Sequence, residues 1–174
     1  MSHPRTQIRD AAIAAIKAAN LDGVGDNVVP NFYDPSWPHE MPVCIVYVKN
    51  EQVDGYDNST LVLVRKSELD VQLVDVQSSE TDDVDARLDS LARQVELALL
   101  PMDDITVGPA WQAELGIVRE CSLQSVKMSG DEQAAAPIAS QTLEFIVEWE
   151  DHIAPVVPGE GLDCAIEIRP KEAP

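Results

Sequence analysis

Lysine and arginine are scarce in this chain: twelve of them stand against 31 aspartates and glutamates, for a net charge of −19. A surface of that sign repels phosphate backbones and anionic lipid, which disfavours specific nucleic-acid binding and membrane docking. No local Lys/Arg cluster reverses the balance. Aromatic residues make up only 5% of the sequence, so the core has to be built mainly from Val, Leu, Ile and Ala. Cysteine is limited to Cys44, Cys121 and Cys164, an odd number, widely spaced and without a CxxC pair. Cys44 and Cys121 lie in apolar or alternating runs, so buried free thiols are expected. The N-terminus Met1–Thr6 is polar, and no apolar run has the length of a signal-peptide core or a membrane span. A soluble protein of the cytoplasm is therefore expected, with no membrane partner.

Chemistry-bearing motifs are also missing. There is no GxGxxG and no GxxxxGK[ST] to cradle a nucleotide, no HExxH for zinc and no GxSxG elbow. The histidines His3, His39 and His152 are isolated, which speaks against a Cys/His metal centre. His39 reads as a loop histidine and His152 as a surface residue at a strand exit. Asp82-Asp83-Val84-Asp85 lacks the glycine and the downstream bidentate glutamate of a calcium loop, and its place at a helix start explains it as capping. Glu144 and Glu148 share one face of a strand, the spacing of a solvated face rather than of a catalytic pair. Trp149 reads as core. The expectation is of no catalytic residue, no cofactor and no metal.

What remains is ordinary globular material: 174 residues, 45% hydrophobic and 25% charged, enough for one domain with a core. Ile8, Ala12, Ala15 or Ile16, and Ala19 predict an amphipathic helix over 6–20, with Thr6 as N-cap and Asn20 and Gly23 as the stop. Its face is narrow and alanine-rich, suited to close packing on a sheet or a neighbouring subunit. The stretch 22–42 carries two glycines and four prolines and reads as irregular or edge chain. It leads into Val43–Val48, an apolar run expected to be a strand covered on both faces. Residues 49–59 read as a polar turn region. A strand block follows from Thr60 to Val76, with Arg65–Glu68 marking a bulge or a break.

The clearest helix spans 82–100, capped by Thr81, with an apolar stripe Val84, Leu88, Leu91, Val95 and Leu99, ended by Pro101. Strands are predicted at 114–127 and 140–150, with Leu143, Phe145, Val147 and Trp149 facing one way. An excursion over 128–137 lies between them, a natural place for a contact. One domain is expected over 1–150, followed by a Pro-rich C-terminal arm over 151–174. The fold class is α+β: a mixed or antiparallel sheet packed by two main helices.

The order of these pieces resembles the tail terminator (minor tail protein U-like) proteins of long-tailed bacteriophages. The residues that carry the resemblance are the helix Thr6–Ile16, the run Met41-Pro42-Val43-Cys44-Ile45-Val46-Tyr47 and the strand Leu69-Asp70-Val71-Gln72-Leu73. They continue with the acid-opened helix from Thr81 through Glu96 and the terminal strand Leu143–Trp149. The match covers roughly 5–150. It implies a structural virion protein, assembled in the host cytoplasm, that forms a six-fold homo-oligomeric ring on the head-proximal end of the tail tube. Such a ring ends tube polymerisation and presents the head-docking surface. Its partners would be the tail tube protein and a head–tail connector or neck protein, with DNA passing through the lumen without specific binding. An acidic lumen would ease that passage. Candidate interface residues are Met128, Gly130, Asp131, Glu132 and Gln133 of the excursion, Glu144 and Glu148 of the last strand, and Pro155 and Pro158 of the arm. Rival readings are another neck component such as a connector or tail-completion protein, an acidic DNA mimic, and a small enzyme or carrier.

Overall fold

The computed structural model describes residues 3–30, 41–57, 62–76, 82–100, 110–131 and 138–152. The elements in chain order are α1 (Pro4–Ala19), β1 (Val28–Pro30), β2 (Val43–Asp57), β3 (Val62–Val76), α2 (Val84–Leu99), α3 (Ala110–Leu115), β4 (Val118–Asp131) and β5 (Ile138–His152). The strands form one sheet in the order β1-β2-β3-β5-β4. β1 runs parallel to β2 and every other pairing is antiparallel. This is the expected α+β class.

Both main helices start later or earlier than their sequence signals suggested, for local reasons. Thr6 does not cap α1. His3 does, its Nδ1 accepting the Arg5 amide at 3.2 Å, and Pro4 takes the first helical position, where its fixed φ and missing N–H cost nothing. The helix ends as expected on Asn20, whose φ of 51° is left-handed and which is followed by Gly23 at 74°. In α2 the cap is Asp83, whose Oδ1 accepts the Ala86 amide at 3.0 Å, a contact worth about 1 kcal/mol. Thr81 lies outside the described residues. Asp82 turns instead to Arg87, which also grips the buried Asp75 at the end of β3 at 2.8 Å. The acidic opening of α2 is thus used for capping and for fastening the helix to the sheet.

The core lies between the helices and one sheet face. Ile8, Ala12 and Ile16 from α1 and Val84, Leu88, Leu91, Val95 and Leu99 from α2 meet Leu69, Val71 and Leu73 of β3 and Leu143, Phe145, Val147 and Trp149 of β5. The apolar alternation predicted for β5 is realised in full, each of its four residues being completely buried. Val43–Val46 is also covered on both faces. Cys44 and Val46 belong to the helix-side core, while Val43 and Ile45 join Val74 in a second small cluster on the other side. Burial pushes the Cys44 and Cys121 thiols up to about 12, which leaves both as inert core residues.

The polar stretch after Val48 is not a turn region. β2 continues to Asp57, paired with β3 back to Val62. Two irregularities, at Asn50 and around Asp54, absorb the extra residues, and Asn50 adopts φ 45°, a conformation asparagine tolerates. This part of the strand is held by cross-strand ion pairs rather than burial, Arg65 to Glu51 at 2.5 Å and Lys66 to Asp54 at 2.9 Å, and so shows no apolar alternation. Arg65–Glu68 marks no break in β3, which pairs with β5 in unbroken register from Val62 to Val76. The helix α3 is not signalled in the sequence, and its last two residues, Glu114 and Leu115, occupy the start of the expected strand 114–127. Its six residues are too few for a periodic signal, and it is held where Trp111 Nε1 and Gln112 Nε2 donate to the Leu99 carbonyl at 3.3 and 3.4 Å. β4 starts and ends four residues later than expected and β5 is longer at both ends, so Met128, Gly130 and Asp131 are strand positions and the connection shrinks to 132–137.

Candidate interaction surface

Strand alternation puts the even-numbered positions of β3 and β5 on the face away from the helices. Register then sets four strands side by side there. Tyr47 lies opposite Asp70, Asp70 opposite Glu144, and Glu144 opposite Ser125. Charge follows the same row. Lys49 Nζ is 2.7 Å from Asp70, 3.5 Å from Glu144 and 3.9 Å from Glu68. Glu144 receives Lys127 Nζ at 2.7 Å and the Ser125 hydroxyl at 2.5 Å. The result is a ladder of ion pairs from β2 to β4.

The ladder shifts its members' protonation. The Lys127 ammonium and then the Ser125 hydroxyl hold the Glu144 carboxyl down to about 2. Asp70, hydrogen-bonded to Lys49, raises the ammonium above its ordinary range. Tyr47 is raised first by burial and then by the neighbouring Asp70 charge. Asp70 itself is 1% exposed, and its Oδ1 has no hydrogen-bond partner.

A depressed carboxyl stabilises the fold at pH values above its unfolded value of 4.5 and loses that contribution as pH falls toward 2. The expected result for Glu144→Gln is a lower melting temperature than the parent at neutral pH, with the gap closing between pH 4.5 and about 2. Thermal melts of both proteins across that range check it. A gap of constant size would mean that Glu144 is not paired as described.

Next to the ladder the sheet face opens into a trough of about 720 Å³, bordered by Gln52, Lys66, Glu68, Glu120, Gln124 and Glu148. Its cations are engaged more closely elsewhere. Lys66 is 3.6 Å from Glu148 but 2.9 Å from Asp54, and Arg119 is 3.9 Å from Glu148 but 2.6 Å from Glu150. Among the described residues Glu120 has no cationic partner, and the trough is left with an excess of negative charge.

Of the residues singled out in the sequence, Glu144 lies in the ladder and Glu148 in the trough, on the shared face that their spacing implied. Met128 is half exposed and pairs with Gln141, three positions along β5 from Glu144 and on the helix-side face, so it does not join them. Gly130 and Asp131 end β4 beside Ala139 and Ile138. Glu132, Gln133, Pro155 and Pro158 lie outside the described residues, as do His39, Pro101 and Cys164. The sequence reading missed Lys49, Asp70, Lys66, Glu68 and Glu120. Their signal is the alternation Lys66-x-Glu68-x-Asp70, which becomes legible only once the register of β2 and β5 against β3 is known.

Together these features define an α+β protein on an open, mostly antiparallel sheet, cored by helices on one face and laced with charge on the other. No helix among the described residues is long and apolar enough to cross a membrane. No protein-family model and no curated protein matches the chain. Among solved structures it is similar to a chain of the virion of a native gene transfer agent particle. The identity is 17% over 86% of this chain and 100% of that chain, with a TM-score of 0.49. A likeness of that degree carries no argument about what this chain does.

Proposed function

We propose that this chain is a structural protein of a phage-like particle, the terminator that caps the head-proximal end of a tail tube as a homo-oligomeric ring. The observation that carries the reading is the order of elements along the chain. A first helix, a strand entered through Met41-Pro42, a long strand pair, an acid-opened helix and a terminal strand pair follow one another as the resemblance requires. Two further features favour assembly. Among the described residues the outer strands β1 and β4 have no partner on their far sides, and an unpaired edge is where a neighbouring chain adds most readily. Val126, Met128 and Ile138, exposed at one end of the β4–β5 pair, add apolar area there.

The acidic DNA-mimic reading fits less well. Most carboxylates on the charged face are arranged against lysine and arginine rather than displayed at phosphate spacing.

The test is addition of the purified protein to polymerising tail tube protein. Tubes of limited length with a ring at one end, seen by negative-stain microscopy, are expected. Tubes whose length and ends are unchanged would end the terminator reading in favour of a connector.

A further inference from the structure

The sheet ends on two unequal edges. β1 is three residues long and closes on Pro30, which has no N–H to offer a further strand. β4 is fourteen residues long without a proline, and among the described residues its far side is unpaired. Irregularities between Val118 and Glu120 and between Leu123 and Ser125 break up its first half, as bulges do on guarded edges. From Ser125 to Asp131 the register is unbroken. There Val126 and Met128 pair with Leu143 and Gln141 on the helix-side face, yet they are 42% and 50% exposed, because α1 and α2 pack mainly over the other four strands. Lys127 stands between them on the opposite face, 63% exposed even with its ammonium at Glu144.

The sequence holds a complement to this stretch outside the described residues. Cys164-Ala165-Ile166-Glu167-Ile168 alternates apolar residues with a small one and an acid, between Gly161 and Pro170. We propose that this segment of one copy adds as a sixth strand to the Ser125–Asp131 edge of a second copy, with Ile166 and Ile168 covering Val126 and Met128. In either strand direction Glu167 then falls beside Lys127, since each lies between the two apolar residues of its own strand. A second copy is the partner because the segment cannot return to its own edge. Val126 is level with Leu143, nine residues before the end of β5 and about 30 Å back along the sheet. The sequence after His152, Ile153-Ala154-Pro155-Val156-Val157-Pro158, favours extended chain, each proline acting on itself and on the residue before it. The first pair suited to a reversal, Pro158-Gly159, comes about 20 Å beyond β5, and the seven residues from there to Ile166 span at most about 25 Å, half of the way back. The donated segment and the accepting edge are different surfaces, so the contact is heterologous and passes from copy to copy, closing where the rotation closes. This gives the ring reading its subunit contact and rests on it, while its test needs no tube.

The experiment is light-scattering mass of the full chain over a concentration series, with oxidative crosslinking to place the contact. Ile166→Ser with Ile168→Ser, and separately Val126→Ser with Met128→Ser, are each expected to weaken self-association roughly tenfold or more. Neither pair alters the net charge of −19, so the loss reports the contact and not repulsion. Melting temperatures show whether each variant is folded, and the corresponding threonine changes, which suit a strand, replace a pair that is not. With Cys164→Ser throughout, a Met128→Cys chain mixed with an Ile166→Cys or an Ile168→Cys chain is expected to give a reducible mixed dimer. The first mixture links if the added strand is antiparallel and the second if it is parallel. The proposal is overturned if the parent stays monomeric at every concentration, or if either pair of serine changes leaves association at the parent level. It is equally overturned if neither mixture links, or if both cysteine changes placed in one chain link only within that chain. Linked copies that leave tubes uncapped would remove the terminator reading and keep this contact. Capping that is indifferent to Ile166→Ser with Ile168→Ser would do the reverse.

Discussion

Trp149→Ala is expected to cost about 3–5 kcal/mol, a large share of the roughly 5–15 kcal/mol available to a domain. In a chain of this length that lowers the melting temperature by roughly 10 °C. The tryptophan is the largest fully buried side chain in the sheet, and three further groups depend on it. Its Nε1 donates to the Ser67 hydroxyl at 3.0 Å, Arg65 lies over the ring with its guanidinium 5.6 Å from the centroid, and the His3 ring meets it edge-on at 6.4 Å. Removing it opens a cavity, strands a buried hydroxyl and loosens the residue that caps α1. Trp149→Phe separates these effects. It keeps most of the volume and loses the Ser67 bond, so a smaller cost of about 1–3 kcal/mol is expected. If thermal melts placed Trp149→Ala within about 2 °C of the parent, the packing of β5 into the helix-side core described above would be wrong.

Lys49→Met is the second large effect. It leaves the Asp70 carboxylate at 1% exposure without its cation, Oδ1 already lacking a partner and the neutral Tyr47 hydroxyl unable to replace the charge. Breaking a fully buried ion pair costs about 3–5 kcal/mol. Lys49 is 39% exposed, so water screens part of that, and about 2–3 kcal/mol is expected. Removing both groups, Lys49→Met with Asp70→Leu, should recover much of the loss, because the penalty comes from the carboxylate left behind and not from a missing attraction. Urea melts of the two single variants and the double variant measure the coupling, and purely additive costs would count against it. The sign with pH is the reverse of that for Glu144. An ammonium raised by its partner contributes below its ordinary value of 10.5, and the contribution fades as pH climbs through the raised one. The gap between parent and Lys49→Met should therefore narrow in strong alkali.

Burial patterns were the part of the structure that could be read from the sequence. Leu143, Phe145, Val147 and Trp149 alternate because one face meets helices, and the α2 stripe recurs at helical spacing for the same reason. Such signals depend only on local period. The extension of β2 beyond Val48 could not be read that way. Lys49, Glu51 and Asp54 lie in the strand because β3 supplies partners for them, a relation between segments about fifteen residues apart. Asp70 shows the limit most sharply. Flanked by Leu69 and Val71, it reads as the wet face of a half-buried strand, yet it is buried under the long side chains of neighbouring strands. The N-caps lie three and two residues from the expected Thr6 and Thr81, at His3 before Pro4 and at Asp83, whose local chemistry suits a helix start. The candidate surface was half legible. Glu144 and Glu148 share a face by spacing alone, whereas the cations that define what the face can bind come from other strands.

The strand order has a consequence for how this molecule acquires its shape. β2 with β3 and β4 with β5 are neighbours in sequence and can zip locally as two long hairpins. β3 and β5, at the centre of the sheet, join partners 62 to 90 residues apart, from Val76 with Ile138 to Val62 with His152. That seam closes only after the chain has paid the entropy of the loop carrying α2 and α3. Domains dominated by such distant pairings fold in milliseconds to seconds rather than microseconds. Refolding should therefore show a slow meeting of two preformed halves, and while the halves are apart the inner edges of β3 and β5 are open to the same edges of other copies. Wherever several copies fold side by side, the same pairing that completes the monomer is the one that has to be won against its neighbours.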